Sequence, residues 1–181
     1  MTSTGGPPQD SAADAERRQA IRDELARIEE SAKDSAQSQL EQAKQWRFVN
    51  LGLGVPTSVF AAISGAMVVA DDKFDLIAAA LALLAAAGGA ILTTLNAAHR
   101  MNQASSAGNA YLEIQGQARQ ARLVDLPHQS LDHARQTLAE LASRRDEQNK
   151  TAEIPSRRAY RKGQKNINTG GQDYAVDKQK G

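Results

Sequence analysis

The stretch FVNLGLGVPTSVFAAISGAMVVA (Phe48–Ala70), then DDKFD (Asp71–Asp75), then LIAAALALLAAAGGAILTTLNAA (Leu76–Ala98), decides the fold. Each flanking segment runs 23 residues without a charged side chain. A helix rises about 1.5 Å per residue and the bilayer's hydrocarbon core is about 30 Å thick, so each is long enough to cross it. The short polar link between them allows only an antiparallel hairpin. The reading is an all-α integral membrane protein with a two-helix transmembrane hairpin, spans 48–70 and 76–98. The competing reading is a buried Ala-rich hairpin in a soluble bundle. Ala is weakly apolar, and Asn50, Thr93, Thr94 and Asn96 lie near the segment ends. Against it, neither segment shows the polar face that a helix in a small soluble domain carries.

Whole-chain composition hides this segregation. The 181 residues hold 22 basic and 21 acidic side chains, and the net charge is +1. Mean hydropathy is −0.50, the value of a soluble chain. The near-zero net charge gives no electrostatic case for nucleic acid, which is not expected as a partner. The absence of cysteine excludes a disulfide scaffold, a thiolate metal site and a cysteine nucleophile. The N-terminus, MTSTGGPPQD, lacks the basic and apolar regions of a signal peptide, so the first span is expected to direct its own insertion. Lys44 and Arg47 precede the first span, Arg100 follows the second, and the link holds three Asp and one Lys. The positive-inside rule then places both termini in the cytoplasm.

Long helical segments flank the hairpin. Residues 1–10 are rich in Gly, Pro, Ser and Thr and read as disordered. Ser11 and Asp14 fit a capping box that opens an amphipathic helix over 11–47. Its seam is Ile21, Leu25, Ile28, Ala32, Ala36, Leu40, Ala43 and Trp46, spaced by three or four, with Trp46 at headgroup level. After the second span the helical pattern continues with no break signal through 99–153. Ala104, Ala107, Tyr111, Ile114, Ala118 and Ala121 form one series, Pro127 punctuates, and Leu131, Ala134, Leu138 and Leu141 form the next. These helices are expected to pack on the N-terminal one as a cytoplasmic bundle. Gly108 and Gly116 fall inside the first series, where each costs about 1 kcal/mol against Ala. Residues 1–47 carry net −2 and 96–181 carry net +5, a modest bias toward packing of the two parts.

The segment 154–181 reads as a basic C-terminal helix and tail. Ser156 is its expected N-cap, and Gly170 and Gly171 end it. Arg157, Arg158, Arg161, Lys162 and Lys165 cluster around Tyr160. A solvated helix face, a contact with anionic headgroups and a phosphate-bearing ligand all remain open for this cluster.

No catalytic constellation is present. His128 and His133 are five apart, off a common helical face, and His99 reads as interfacial. There is no HExxH, P-loop or nucleophile elbow, so neither an enzyme nor a metal or cofactor site is expected. The spans carry no ionisable group, which argues against a proton relay or ion-coupled carrier. A pore lined by Thr57, Ser58, Ser64, Thr93 and Thr94 remains possible. Small residues recur every four positions: Gly54, Ser58 and Ala62 (continuing to Ala66) in the first span, and Ala78, Ala82, Ala86, Ala90 and Thr94 in the second. Such stripes let helices approach closely, within a hairpin or between subunits. Pro56 can kink the first span. Two helices cannot enclose a pore, so any channel must be a homo-oligomer.

This order of parts resembles the SLATT domain family, two-transmembrane effectors associated with bacterial nucleotide-signalling and conflict systems. The resemblance rests on the amphipathic helix Ile21–Trp46, the hairpin Phe48–Ala98, the helical stretch His99–Lys150 and the piece Ile154-Pro155-Ser156 … Tyr160 … Ile167-Asn168-Thr169-Gly170. It implies a multi-pass protein of the bacterial inner membrane. It would oligomerise and permeabilise that membrane when a partner sensor or nucleotide-synthesising protein signals infection. It carries no catalytic residues over. Two other functions stay open: a membrane-anchored helical scaffold, and a soluble helical interaction module.

Overall fold

The computed structural model describes residues 9–70 and 72–171, so residues 1–8, part of the stretch read as disordered, and the tail 172–181 lie outside the described residues. The described chain is all-helical. Helix α1 spans Gln9–Ala70, and at about 1.5 Å per residue it is about 93 Å long. A single 3₁₀ turn at Asp72–Phe74 reverses the chain into α2 (Asp75–Leu95). Then come α3 (Ala97–Gln120), α4 (Leu131–Thr151) and α5 (Arg157–Asn168).

Helix α1 joins the amphipathic segment and the first apolar segment without interruption. It starts at Gln9, so position 11 lies inside the helix and not at the expected N-cap position. Pro56 also lies within the helix. Its missing N–H leaves the carbonyl of Gly52 without its helical donor, as at any interior proline.

The upper half of α1 pairs with α2 as the hairpin. The lower half packs against α3 and α4, as the seams predict. Ile21, Leu25, Ile28, Ala32 and Ala36 of α1 bury against Tyr111, Ile114 and Ala118 of α3 and Ala134 and Leu141 of α4. Leu25 and Ile28 are among the largest fully buried side chains. Gly108 has a packing reason that outweighs its propensity cost. A Cβ there would lie 2.9 Å from two carbons of Leu40, so the glycine sets how closely α3 approaches α1.

Polar bonds tie the far end. Arg122 grips Glu29 through Nε (3.1 Å) and Nη2 (2.8 Å). Arg18 Nη1 donates to the carbonyls of Leu126 and Gln129, each at 2.9 Å. Those carbonyls follow a π-helical turn, Ala121–Asp125, that ends α3 ahead of Pro127. Ser130 then caps α4, its Oγ accepting from the amide of His133 at 3.3 Å.

The unbroken helix expected after the second span is corrected at Asn96. This residue adopts φ 48° and ψ 42°, the left-handed region, and separates α2 from α3. Its amide donates to the carbonyl of Leu92 at 3.0 Å, and its carbonyl accepts from Arg100 at 3.1 Å. Asn tolerates this conformation better than any residue but Gly. Replacing it tests the break. Asn96→Gly is expected to hold stability, and Asn96→Val to lose about 1–2 kcal/mol, the penalty of a left-handed β-branched residue. Thermal unfolding in detergent reads both.

Candidate functional site: the apolar hairpin and the basic helix beside it

Within the hairpin the less exposed positions form a series that alternates by three and four, flanked by Val49, Gly54 and Gly89. In α1 they are Asn50, Leu53, Thr57, Phe60, Ser64 and Met67; in α2 they are Ala78, Leu81, Ala85, Gly88 and Leu92. This is heptad spacing, which keeps a seam on the partner helix. Near the link, Ser64 Oγ donates to the carbonyl of Ala78 at 2.8 Å, and both residues are buried. At mid-seam, Gly88 faces Thr57 so closely that a Cβ on residue 88 would overlap Thr57 Oγ1. Toward the other end, a Cβ at Gly54 would lie 3.7 Å from Leu92 Cδ1.

The four-residue stripes do not follow this seam. A step of four turns a helix about 40° past a full circle, so Thr94 stands about 160° around from Ala78. Of the small residues singled out, Ala78 is buried in the seam and Gly54 flanks it. Ser58, Ala62, Ala82, Ala86, Ala90 and Thr94 are exposed on the outside of the hairpin, as is Pro56. Ser64, by contrast, belongs to the seam. The other span hydroxyls fold back on their own helix. Thr57 donates to Leu53 O (2.7 Å), Ser58 to Gly54 O (3.0 Å), Thr93 to Gly89 O (2.9 Å) and Thr94 to Ala90 O (2.8 Å).

The outer face of the hairpin is apolar and open. Phe48, Leu51, Val55, Val59, Ile63, Val68 and Val69 of α1 are exposed, as are Leu76, Ile77, Leu83, Leu84 and Ile91 of α2. The most apolar 18-residue windows of the two helices are only 6% and 11% buried. A core helix of a soluble protein would be mostly buried instead.

Below the hairpin, α5 packs on α1 and on no other helix to a comparable extent. Ser156 caps it, accepting from the Ala159 amide at 3.2 Å, as its sequence predicts. Gly170 (φ 79°) and Gly171 close it: their amides donate to Ile167 O and Asn166 O, each at 2.9 Å, a Schellman ending. Its contact face is small. Ala159 is fully buried, and a Cβ at Gly163 would lie 3.0–3.2 Å from backbone atoms of Gln37 and Ser38. Glutamines of α1 complete the dock. Gln37 Oε1 accepts from Asn166 Nδ2 (2.7 Å), Gln42 Oε1 from the Ser156 amide (3.0 Å) and Gln45 Oε1 from Ser156 Oγ (2.9 Å). Gln39 Nε2 donates to Glu153 O at 2.7 Å.

Arg157, Arg158, Arg161, Lys162 and Lys165 all face outward, and no carboxylate among the described residues pairs with them. Close to the hairpin, Arg100 stacks over Trp46 at 5.0 Å and bonds Glu153 at 2.8 Å. A cavity of about 250 Å³ lies between α1, α3, α4 and the α4–α5 link. Asp34, Gln39, Tyr111, Asn149 and Tyr160 line it, and no basic residue does, so its chemistry suits hydrogen-bond donors rather than phosphate. The hydroxyl of Tyr111 donates to Asn149 Oδ1 at 2.7 Å, and burial pushes its phenol above the ordinary value.

The described chain is therefore an all-helical protein with two helices long and apolar enough to cross a membrane. Comparison with family models, with curated proteins and with solved structures finds no match.

Proposed function

We propose that the hairpin spans the bacterial inner membrane, with both termini cytoplasmic, and that the chain is a self-associating membrane effector. The exposure of its apolar windows, 6% and 11% buried, carries the membrane reading. In water those faces would form an apolar surface far beyond the few hundred Å² that a soluble monomer exposes. In lipid they need no cover. The effector reading adds the resemblance to SLATT proteins. A signal from a partner sensor or nucleotide-synthesising protein would reach the lower bundle and rearrange the hairpins of several copies into a permeable assembly. The outward small residues Ala82, Ala86 and Ala90 leave room for helix-to-helix contact between copies.

One observation favours a second reading, a membrane-anchored scaffold. Four of the five span hydroxyls fold back on their own helix and the fifth bridges the hairpin, so a single hairpin presents no polar wall of free donors.

A membrane-potential dye in cells expressing the full chain with its trigger system separates the two. The effector reading predicts depolarisation, with Ala82→Leu and Ala86→Leu abolishing it at unchanged expression. Full potential in the wild type, or full depolarisation in both variants, contradicts it.

A further inference from the structure

The basic residues of α5 do not sit at one depth. Ser156 is bonded to Gln45 and Gln42 of α1, and Gln45 precedes Phe48, the first residue of the apolar segment, by three positions. Gln42 precedes Phe48 by six, so Ser156 lies between about 4.5 and 9 Å of helix rise below Phe48. The polar layer of a bilayer is about 5–8 Å deep on each side, so Ser156 and the adjoining Arg157 and Arg158 lie within headgroup reach. From there α5 runs away from the hairpin, because Asn166 is bonded to Gln37. Gln37 is eleven residues below Phe48, about 16 Å. Lys165 therefore lies beyond the Debye length of about 8 Å that holds at physiological salt.

The link before Ser156 reaches lower: the carbonyl of Glu153 accepts from Gln39, nine residues or about 13 Å below Phe48, and the exposed Ile154 beside it lines the cavity with Asp34 and Gln39. Two further features share the upper level. Arg47 is exposed, and no carboxylate among the described residues pairs with it. Arg100 is engaged by Glu153 and Trp46, which holds the link against the base of the hairpin.

We infer that Arg47, Arg157 and Arg158 form a contact site for anionic phospholipid headgroups in the leaflet beside the link, and that Lys162 and Lys165 take no part in it. The inference rests on the proposed membrane insertion of the hairpin. The site is continuous with that surface, and no carboxylate among the described residues pairs with its arginines. A basic residue next to an anionic surface contributes about 1 kcal/mol, whereas one a Debye length away contributes little, so the two ends of α5 differ.

The chain has no cysteine, so Ile154→Cys can carry a single environment-sensitive fluorophore on the full-length protein. The protein is reconstituted into vesicles of phosphatidylcholine alone and of phosphatidylcholine with 30% phosphatidylglycerol. A blue shift is expected in the anionic vesicles only, reversed by 0.5 M salt. It should be lost in Arg157→Gln/Arg158→Gln and kept in Lys162→Gln/Lys165→Gln. Equal emission in both lipids, or equal loss in both double variants, overturns the inference. A shift produced in neutral vesicles by added inorganic phosphate would also overturn it, because the site would then be one for a soluble anion. A second fluorophore at Leu84→Cys, mid-hairpin, separates the underlying reading. Water-like emission there refutes membrane insertion and this site with it. Apolar emission there with no lipid dependence at residue 154 refutes the site alone.

Discussion

Gly88→Leu is expected to pull the two hairpin helices apart. Position 88 has no space, because a Cβ would already overlap Thr57 Oγ1 and lie 3.3 Å from Thr57 Cβ. A leucine must displace a whole helix. Overpacking of this kind costs about 1–3 kcal/mol, and Thr57, the side chain it meets, is β-branched and has few rotamers to move into. Titrating SDS into mixed micelles should show unfolding at a markedly lower SDS fraction. A milder pair checks the cause. Gly88→Ala alone should destabilise, and Thr57→Ala added to it should restore most of the loss, giving a coupling energy in a double-mutant cycle. Ala86→Leu is the contrast. It lies only two residues away but faces outward, so hairpin stability should hold.

Gly163→Leu is expected to release α5. The atoms around position 163 are backbone of α1, which cannot rotate aside as a side chain can. The rest of the contact gives little to offset the clash. Ala159 is the main buried apolar residue, and the glutamine bonds are polar ones of modest net value, about 1 kcal/mol each. Gln39 Oε1 and Gln45 Nε2, buried on the same stretch of α1, have no hydrogen-bond partner among the described residues and weaken the dock further. A cost of about 1–3 kcal/mol raises the undocked fraction roughly fivefold to 150-fold. Tryptic cleavage at Arg157, Arg161 and Lys162 should accelerate by that factor, since proteolysis follows the open population when opening is fast. The bundle of α1, α3 and α4 should stay protected, because its core of Leu25, Ile28, Ile114 and Leu141 does not involve α5. Cleavage at the wild-type rate would mean that α5 is held by something other than its glycine contact.

Apolar residues made their own arrangement legible. The seams at Ile21–Ala43 and Ala104–Ala121 are buried as their spacing predicts, because a charged helix with one apolar stripe has one way to pack. The caps of α5 were legible for a similar reason. Ser156 and the Gly170–Gly171 pair are local signals, and local hydrogen bonds satisfy them. Inside the hairpin the same logic failed. Nearly every residue there is small or apolar, so sequence alone supports several stripes. The four-residue series was visible, but the heptad series is the one a close-packed antiparallel pair can follow. Asn96 carried no signal above its surroundings, since Asn is common at helix ends and the pattern resumes at Ala97. The depth of α5 was illegible as well. It depends on Gln37, Gln42 and Gln45, whose amides look like ordinary surface residues until Ser156 and Asn166 are placed on them.

The central claim is that the Phe48–Ala98 hairpin is embedded in a bilayer. Membranes from cells expressing the full chain, washed with alkaline carbonate and pelleted, test it most directly. Retention in the pellet, with release only by detergent, is the predicted result. Recovery in the carbonate supernatant would contradict it and leave the apolar faces to be covered by protein.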